Sequence, residues 1–332
     1  MFSKIFFEKE ISDHPLTRRI LSSFEKTESY PIEDLGRYFS QFKKPYLEKR
    51  KNLNLYIGRK KGEMVKPAPD AYGLSGQPHF YYVHAFNCIY ECQYCYLQGH
   101  FNSPDIVWFV NHEEILLEMQ DLADKHSEGL WFHAGEFSDS LALSHITGEL
   151  PYYHQFCKDN HHVSLELRTK SVNSAELKKL TPLPNFIVSV SLSSHQSAKS
   201  FELKVPSVAA RLKFLQEMSQ QGHPIALHLD PIIYTPNWEN EYQQLIEQIY
   251  QVLSPQTIRY ISLGIVRFPG DIYREVEKNY PESSLLLHEF GRNPDGKMGL
   301  IRPLRQKMLN TVQNQLLDQG QPRESLYFCM ED

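Results

Sequence analysis

Three cysteines, Cys88, Cys92 and Cys95, fall in the run NCIYECQYCYLQG with C-x3-C-x2-C spacing. That spacing lets three thiolates of one loop face a common point and wrap three irons of an iron-sulfur cubane. The fourth iron then receives no cysteine from the loop and stays open to a small ligand. Two plainer arrangements compete: a zinc site completed by His84 or His100, or three ordinary cysteines. Structural zinc usually takes paired Cys-x2-Cys units, and the sequence has no second cluster to complete one. Cys157 and Cys329 stand alone, too scattered for a disulfide framework. A free cysteine of that kind is commonly a small buried hydrophobe.

Other polar groups gather at the ends of apolar runs. Ser138 and Asp139 follow GLWFHAG and read either as site groups or as a helix N-cap. Arg168, Thr169 and Lys170 end VSLELRTK, where a strand terminus meets a ligand or simply faces solvent. Ser191, Ser193 and Ser194 end FIVSVSLS, as hydroxyls for a ribose or a carboxylate, or as an ordinary serine-rich exit loop. His228 and Asp230 alternate on one face of ALHLDPII, so an inward face brings both towards a substrate. Tyr94 and Tyr96 flank Cys95, and for them core packing competes with a place beside a nucleoside or in a radical relay.

The elements that must position these groups alternate along the chain. Strands are expected at 79 to 86, 129 to 135, 163 to 170, 186 to 193, 224 to 234 and 258 to 268. Helices are expected at 112 to 126, 171 to 180, 206 to 222 and 238 to 253, with a helical look to YYHQFCK. Six strand-helix alternations favour an α/β barrel, open or closed, with a mainly parallel sheet. The preceding residues, 1–78, read as a mixed α/β extension with a short helix near Ile20 to Phe24 and a strand near Leu53 to Ile57. Its end is the Pro/Gly-rich linker PAPDAYGLSGQP, which puts the main domain at 79–332.

Composition narrows the classes further. With 40 acidic against 35 basic residues the formal charge is -5, which excludes a strongly cationic nucleic-acid coat protein but leaves local basic patches open. A hydrophobic share of 41% with 19 Tyr and 19 Phe excludes disorder and collagen-like repetition. The absence of an apolar stretch of 18 residues and the acidic start MFSKIFFEKEISDHPL lead us to expect a cytoplasmic protein without a membrane partner.

The cysteine spacing, with Tyr94 immediately before the last cysteine, resembles the signature of the radical SAM superfamily. ECQYCYLQ, Phe137 to Asp139, HITGEL, the opening EKEISDHPLTRRIL, Thr169 with Lys170, and PIIYTPNWENEYQQL are together similar to the spore photoproduct lyase family. The resemblance implies a partial (β/α)6 TIM-type barrel with additional N-terminal and C-terminal elements. It also implies one [4Fe-4S] cluster and S-adenosyl-L-methionine (SAM) at the carboxyl ends of the strands. A reducing partner such as flavodoxin or ferredoxin would drive cleavage of SAM to a 5'-deoxyadenosyl radical, which abstracts hydrogen from an unreactive C–H bond.

Residue by residue, Ala134, Gly135 and Glu136 resemble the Gly-Gly-Glu-like segment that contacts the methionine amine in such proteins. A glycine there permits close backbone approach, and a carboxylate accepts from an ammonium. Thr169 and Lys170 share in the resemblance. One departure stands out. In spore photoproduct lyases a cysteine before a Thr-Ser-Asp run returns a hydrogen atom to the product; the matching residue here is Glu136, followed by Phe137. A carboxylate does not replace a thiol in that task. Cys329 is the candidate substitute donor. Arg292, Lys297, Arg302 and Arg305 surround an NPDG turn and suit a basic hairpin against a DNA backbone, with Arg59, Lys60 and Lys61 as a second patch. The expected activity is lyase-type repair of a thymine lesion in DNA. Radical modification of another substrate, or a noncatalytic damage-sensing module that binds nucleic acid, are the alternatives.

Overall fold

The six apolar runs form parallel strands at His79–Tyr82, Leu130–Ala134, Val163–Thr169, Phe186–Ser191, Ile225–Ile232 and Ile258–Ile265. This is a computed structural model, and it describes residues 2–39, 44–69, 76–288, 290–293 and 296–330. The strands lie side by side in sequence order, with Leu326–Phe328 added in parallel at one edge and Val65–Pro67 antiparallel at the other. The resulting eight-stranded sheet curls into an open half-barrel, the partial barrel expected from the sequence.

Alternation along each strand separates two environments. Leu165, Leu167, Val188, Val190, Leu227 and Ile261 are fully buried in the main core, beneath helices such as His112–Lys125, Leu150–Asp159, Val208–Gln220 and Trp238–Val252. The concave face starts with an aromatic and aliphatic floor of Trp131, Ile187, Ala226 and Tyr260. Nearer the carboxyl ends come His133, Glu166 and His228, all buried, and then the polar rim described below.

Three sequence expectations require correction, one of them the strand at 258–268, which ends at Ile265 while Arg267–Phe268 leaves the barrel to pair with Met298–Leu300. The segment 171–180 is not a helix; only a single 3-10 turn forms, at Leu177–Lys179. Its polar side chains take the backbone donors that a helix would use. Ser171 N–H donates to Thr169 Oγ1 (2.8 Å), Asn173 N–H to Ser171 Oγ (3.1 Å) and Ala175 N–H to Asn173 Oδ1 (3.3 Å). The run 79–86 is also broken, because Ala85–Phe86 leaves the barrel for a second sheet.

That second sheet has the order Ser29–Ile32, Ile5–Glu8, Leu55–Gly58, Ile106–Phe109, Ala85–Phe86. Its pairs are parallel except the last, where Ala85 faces Trp108 and Phe86 faces Val107. Strands from before and after residue 78 thus share one layer. The early helix spans Pro15–Ser22, starting sooner than expected, with Leu16 N–H donating to His14 Nδ1 at 3.3 Å. Residues 70–75 of the proline/glycine linker lie outside the described residues.

After the barrel, Phe290–Arg292 and Met298–Leu300 pair antiparallel, joined at their side by Arg267–Phe268. Pro294 and Asp295 of the expected turn lie outside the described residues. Arg305 anchors this hairpin from helix Arg302–Asp318, donating to Asn293 Oδ1 and Leu300 O at 2.7 Å each. Among the described residues no helix is long and apolar enough to cross a membrane.

Candidate functional site

The cysteine loop is an excursion between two strands of the second sheet, Ala85–Phe86 and Ile106–Phe109. Asn87 turns the chain with φ of 62° and closes the far end through Nδ2, donating to Ser103 O and Asp105 O at 2.7 Å each. Asparagine tolerates that left-handed conformation better than most residues. Arg50 supports the loop from behind, with hydrogen bonds to the carbonyls of Cys88 (2.7 Å), Ile89 (2.9 Å) and Tyr90 (2.6 Å). On the other side Glu91–Cys92 pairs with Glu202–Leu203, and Gln93 N–H donates to Phe201 O at 2.8 Å. Gln98 finishes the turn by donating to Gln93 O and Cys95 O at 2.8 and 2.9 Å.

The loop opens on a cavity of about 440 Å³ at the carboxyl ends of the barrel strands. Cys88, Cys92 and Cys95 line it, and all three are free of disulfides. Neither His84 nor His100 is among its lining residues. Among the described residues no three His, Cys, Asp or Glu side chains are gathered for a single metal ion. With neither histidine at the cavity, three thiols suit an iron-sulfur group better than a zinc completed by His84 or His100. Burial pushes all three thiols up, Cys92 to about 12, so a metal entering the loop must displace their protons.

Most of the residues singled out in the sequence meet at this cavity. Tyr96, Gly135, Glu136, Ser138, Asp139, Thr169, Lys170, Ser191, Asp230, Lys297 and Cys329 all line it. Tyr96 Oη donates to Glu136 O (2.8 Å) and lies 3.2 Å from its Oε1. Gly135 has φ of 93°, and a Cβ there would stand 2.6 Å from Arg168 O, so the turn itself demands glycine. Asp139 is an organiser of the wall: it accepts from the N–H groups of Leu141, Ala142 and Lys170 and from Thr169 Oγ1 at 2.6 to 3.0 Å. Asp139 is thus not the N-cap of the following helix, Ser144–Thr147, whose N-cap is Leu143; it holds the turn after the strand and links two strand ends.

Other candidates lie elsewhere. Ala134 is buried in the core behind the sheet. Ser193 donates to Glu202 Oε1 at 3.0 Å and is absent from the cavity wall. His228 sits below the cavity and bonds Glu166. Arg292 and Arg302 are exposed on and beside the hairpin. Cys157 is a fully buried core residue of helix Leu150–Asp159.

Burial sets the electrostatics of the rim. The Glu136 carboxyl is raised to about 7, mainly by burial, with Tyr96 opposing and the Asp230 charge reinforcing. The Cys329 thiol is pushed up to about 12 by burial and by Asp230, so it keeps its S–H bond at neutral pH. Cys329 follows strand Leu326–Phe328, donates its N–H to Leu263 O at 2.8 Å, and packs with Tyr81. Arg267 Nη2 lies 3.7 Å from its sulfur.

The sequence reading missed three features. Arg50 gave no signal, because YLEKRK reads as a surface helix. Arg211 and Glu202 form a fully buried ion pair; Arg211 also donates to Ser191 O (2.7 Å), and Glu202 accepts from Tyr94 Oη. Arg211 did have a signal, since it shares helical spacing with Val208, Leu212 and Leu215 on the buried face. Beneath the rim, His79, His133, Glu166 and His228 form a hydrogen-bonded chain, with His79 Nδ1 2.8 Å from His133 Nε2. Burial disfavours the Glu166 charge, yet His228 and His133 hold its carboxyl well below the usual range. Glu166 alternates with Leu165 and Leu167 in its strand, so a period of two marks it as facing inward.

The family model for spore photoproduct lyase matches residues 2–319. The spore photoproduct lyase of Bacillus subtilis is 29% identical over 248 residues, covering 67% of each chain. That of Clostridium acetobutylicum is 21% identical over 300 residues, covering 88% of this chain and 86% of the relative. Among solved structures, a spore photoproduct lyase complexed with dinucleoside spore photoproduct superposes with a TM-score of 0.82 at 19% identity, covering 99% of this chain and 98% of the other. A tyrosine-to-phenylalanine mutant of spore photoproduct lyase gives 0.84 at 19% identity, covering 100% and 99%.

Proposed function

Because this chain belongs to the spore photoproduct lyase family of radical SAM proteins, we propose that it is a radical SAM enzyme cleaving a carbon-carbon bond of a thymine lesion in DNA. The observation that carries this reading is the C-x3-C-x2-C loop opening, with three free thiols, on one cavity at the ends of parallel strands. Cys88, Cys92 and Cys95 would hold three irons of a [4Fe-4S] cluster. Cluster and SAM, given one electron from a donor of the flavodoxin or ferredoxin class, supply a 5'-deoxyadenosyl radical for hydrogen abstraction.

The chain's own residues position and finish the reaction. Tyr96 holds the Gly135–Glu136 segment through the Glu136 carbonyl, and the Glu136 carboxylate at the cavity wall would accept from an ammonium-bearing ligand. Asp139 holds Thr169 and Lys170 in the adjoining wall, and Ser191 continues it. Asp230 lines the floor of the rim, with Arg267 Nη1 at 3.6 Å. Arg292, Lys297 and Arg302 would meet the phosphates of a DNA strand led to the cavity mouth.

Carbon-carbon cleavage of the lesion leaves a carbon radical that needs one hydrogen atom to become a methyl group. Glu136 has no weak X–H bond to offer. Cys329 does: its S–H bond breaks homolytically, a C–H bond forms, and the sulfur radical takes a hydrogen atom back from a small-molecule thiol of the reducing medium. The test is an anaerobic mass-spectrometric time course on the iron-reconstituted chain with SAM, reductant and dinucleoside spore photoproduct in D2O. We expect thymidine carrying one methyl deuterium from the wild type, and no product from Cys88→Ala. Cys329→Ala should form at least tenfold less thymidine while still forming 5'-deoxyadenosine. Unchanged labelling in Cys329→Ala removes that residue from the mechanism. Deoxyadenosine without thymidine from the wild type directs the search to another substrate, a reading favoured by Glu136. DNA binding with neither product, and with the cluster intact, indicates a damage-sensing module.

A further inference from the structure

We propose that Arg50 is the electrostatic counterpart of the metal group in the cysteine loop, a positioning residue that holds the loop backbone and favours one-electron reduction of that group. This rests on the iron-sulfur reading above. Arg50 ends the helix Tyr46–Arg50 of the N-terminal layer and is 5% exposed. Its Nη1 and Nη2 engage three successive carbonyls, those of Cys88, Ile89 and Tyr90, and its Nε lies 3.5 Å from Glu91 Oε2. A guanidinium presents donors in a rigid fork, so one side chain spans four consecutive residues, which a lysine point charge does not do.

The charge of Arg50 is only loosely balanced by protein. Glu91 is its nearest carboxylate, but the same Glu91 oxygen lies closer to Lys204 Nζ, at 2.8 Å. The remaining partners are neutral carbonyls and the face of Tyr46, whose ring centre lies 5.6 Å away. A buried cation with such partners is costly unless an anion comes near. A cubane held by three thiolates is such an anion, and it gains a further negative charge on reduction. A fixed cation behind the loop therefore stabilises the reduced state more than the oxidised one. Net charge and hydrogen bonding are established levers on iron-sulfur potentials.

The experiment is a redox titration of the reconstituted full-length chain, following the reduced cluster by electron paramagnetic resonance, for wild type, Arg50→Lys and Arg50→Met. Iron and sulfide content and thermal unfolding are measured on the same samples. At a fixed potential we expect the reduced-to-oxidised ratio of Arg50→Met to fall about tenfold, about 59 mV for one electron. Arg50→Lys, which keeps the charge and loses the fork, should stay within about threefold of wild type but lose iron faster to a chelator. In the metal-free chain, alkylation of Cys88 should be faster in both variants, because its backbone is no longer held. An iron-loaded Arg50→Met with the wild-type ratio overturns the proposal. So does an Arg50→Lys shifted as far as Arg50→Met, since charge would then be irrelevant. If Arg50→Met does not load, the Arg50→Lys ratio and its chelation rate decide. Failure of the wild type to form any iron-sulfur spectrum is a different result, and it sinks the functional reading itself.

Discussion

Glu149 and Glu136 are carboxyls that burial raises from 4.5 to about 7. Glu149 is the cleaner case, 2% exposed, with Thr147 Oγ1 donating to one oxygen and no partner for Oε1. Its folded form retains a proton that the unfolded chain releases between those values. The stability it contributes is therefore full below pH 4.5 and is lost as pH rises through 7, a change of about 3 kcal/mol. Glu149→Gln should flatten that part of the profile and leave the protein more stable than wild type at about pH 8, read as melting temperature against pH. Glu136 acts in the same direction with a smaller effect, because the cavity admits water to it. At this scale the sequence revealed residue types and faces but not partners. Asp139 was recognisable as a polar group at a strand exit, whereas its reach to Thr169 and Lys170 depends on a strand-to-strand approach that a single sequence does not encode.

The terminal hairpin is an element whose basic residues divide into two jobs. Arg305 is buried and spent on Asn293 and Leu300, whereas Arg302 is exposed, beside the exposed Ile301. On lesion-containing duplex, Arg302→Ala should reduce the slope of log affinity against log salt by about 1, leaving the melting temperature unchanged. Arg305→Ala should lower the melting temperature by loosening the hairpin, and its DNA defect should be large at every salt concentration. A charge pattern alone did not separate these residues, since burial decides which arginine is free to meet a phosphate. Helices were legible where apolar spacing persisted, as at Trp238–Val252, and illegible at 171–180, where threonine, serine and asparagine side chains captured the backbone donors.

For the molecule as a whole, the six barrel strands were legible because their outer faces are uniformly apolar over five to eight residues in most cases. Of the second sheet, Leu55–Gly58 answers to the strand expected near Leu53 to Ile57, but Ile5–Glu8 and Ser29–Ile32 were not legible, because they are four-residue strands paired in parallel across long separations. That sheet nevertheless fixes both ends of the cysteine loop, and its last strand ends at Phe109. The covering bridge to Cys92 comes from Glu202–Leu203, much later in the chain. On a ribosome, the loop is thus tied at its base before the strand that shields Cys92 has been made. At about 5–20 residues per second, roughly 5–20 s separate the two events. Iron delivery during synthesis would find the thiols on a loop tied at its base but uncovered, whereas delivery to the finished protein must pass through the cavity mouth. Nascent chains stalled with residue 120 just outside the exit tunnel should therefore take up radioactive iron faster than chains stalled with residue 215 outside; equal rates would mean that Glu202–Leu203 does not gate loading.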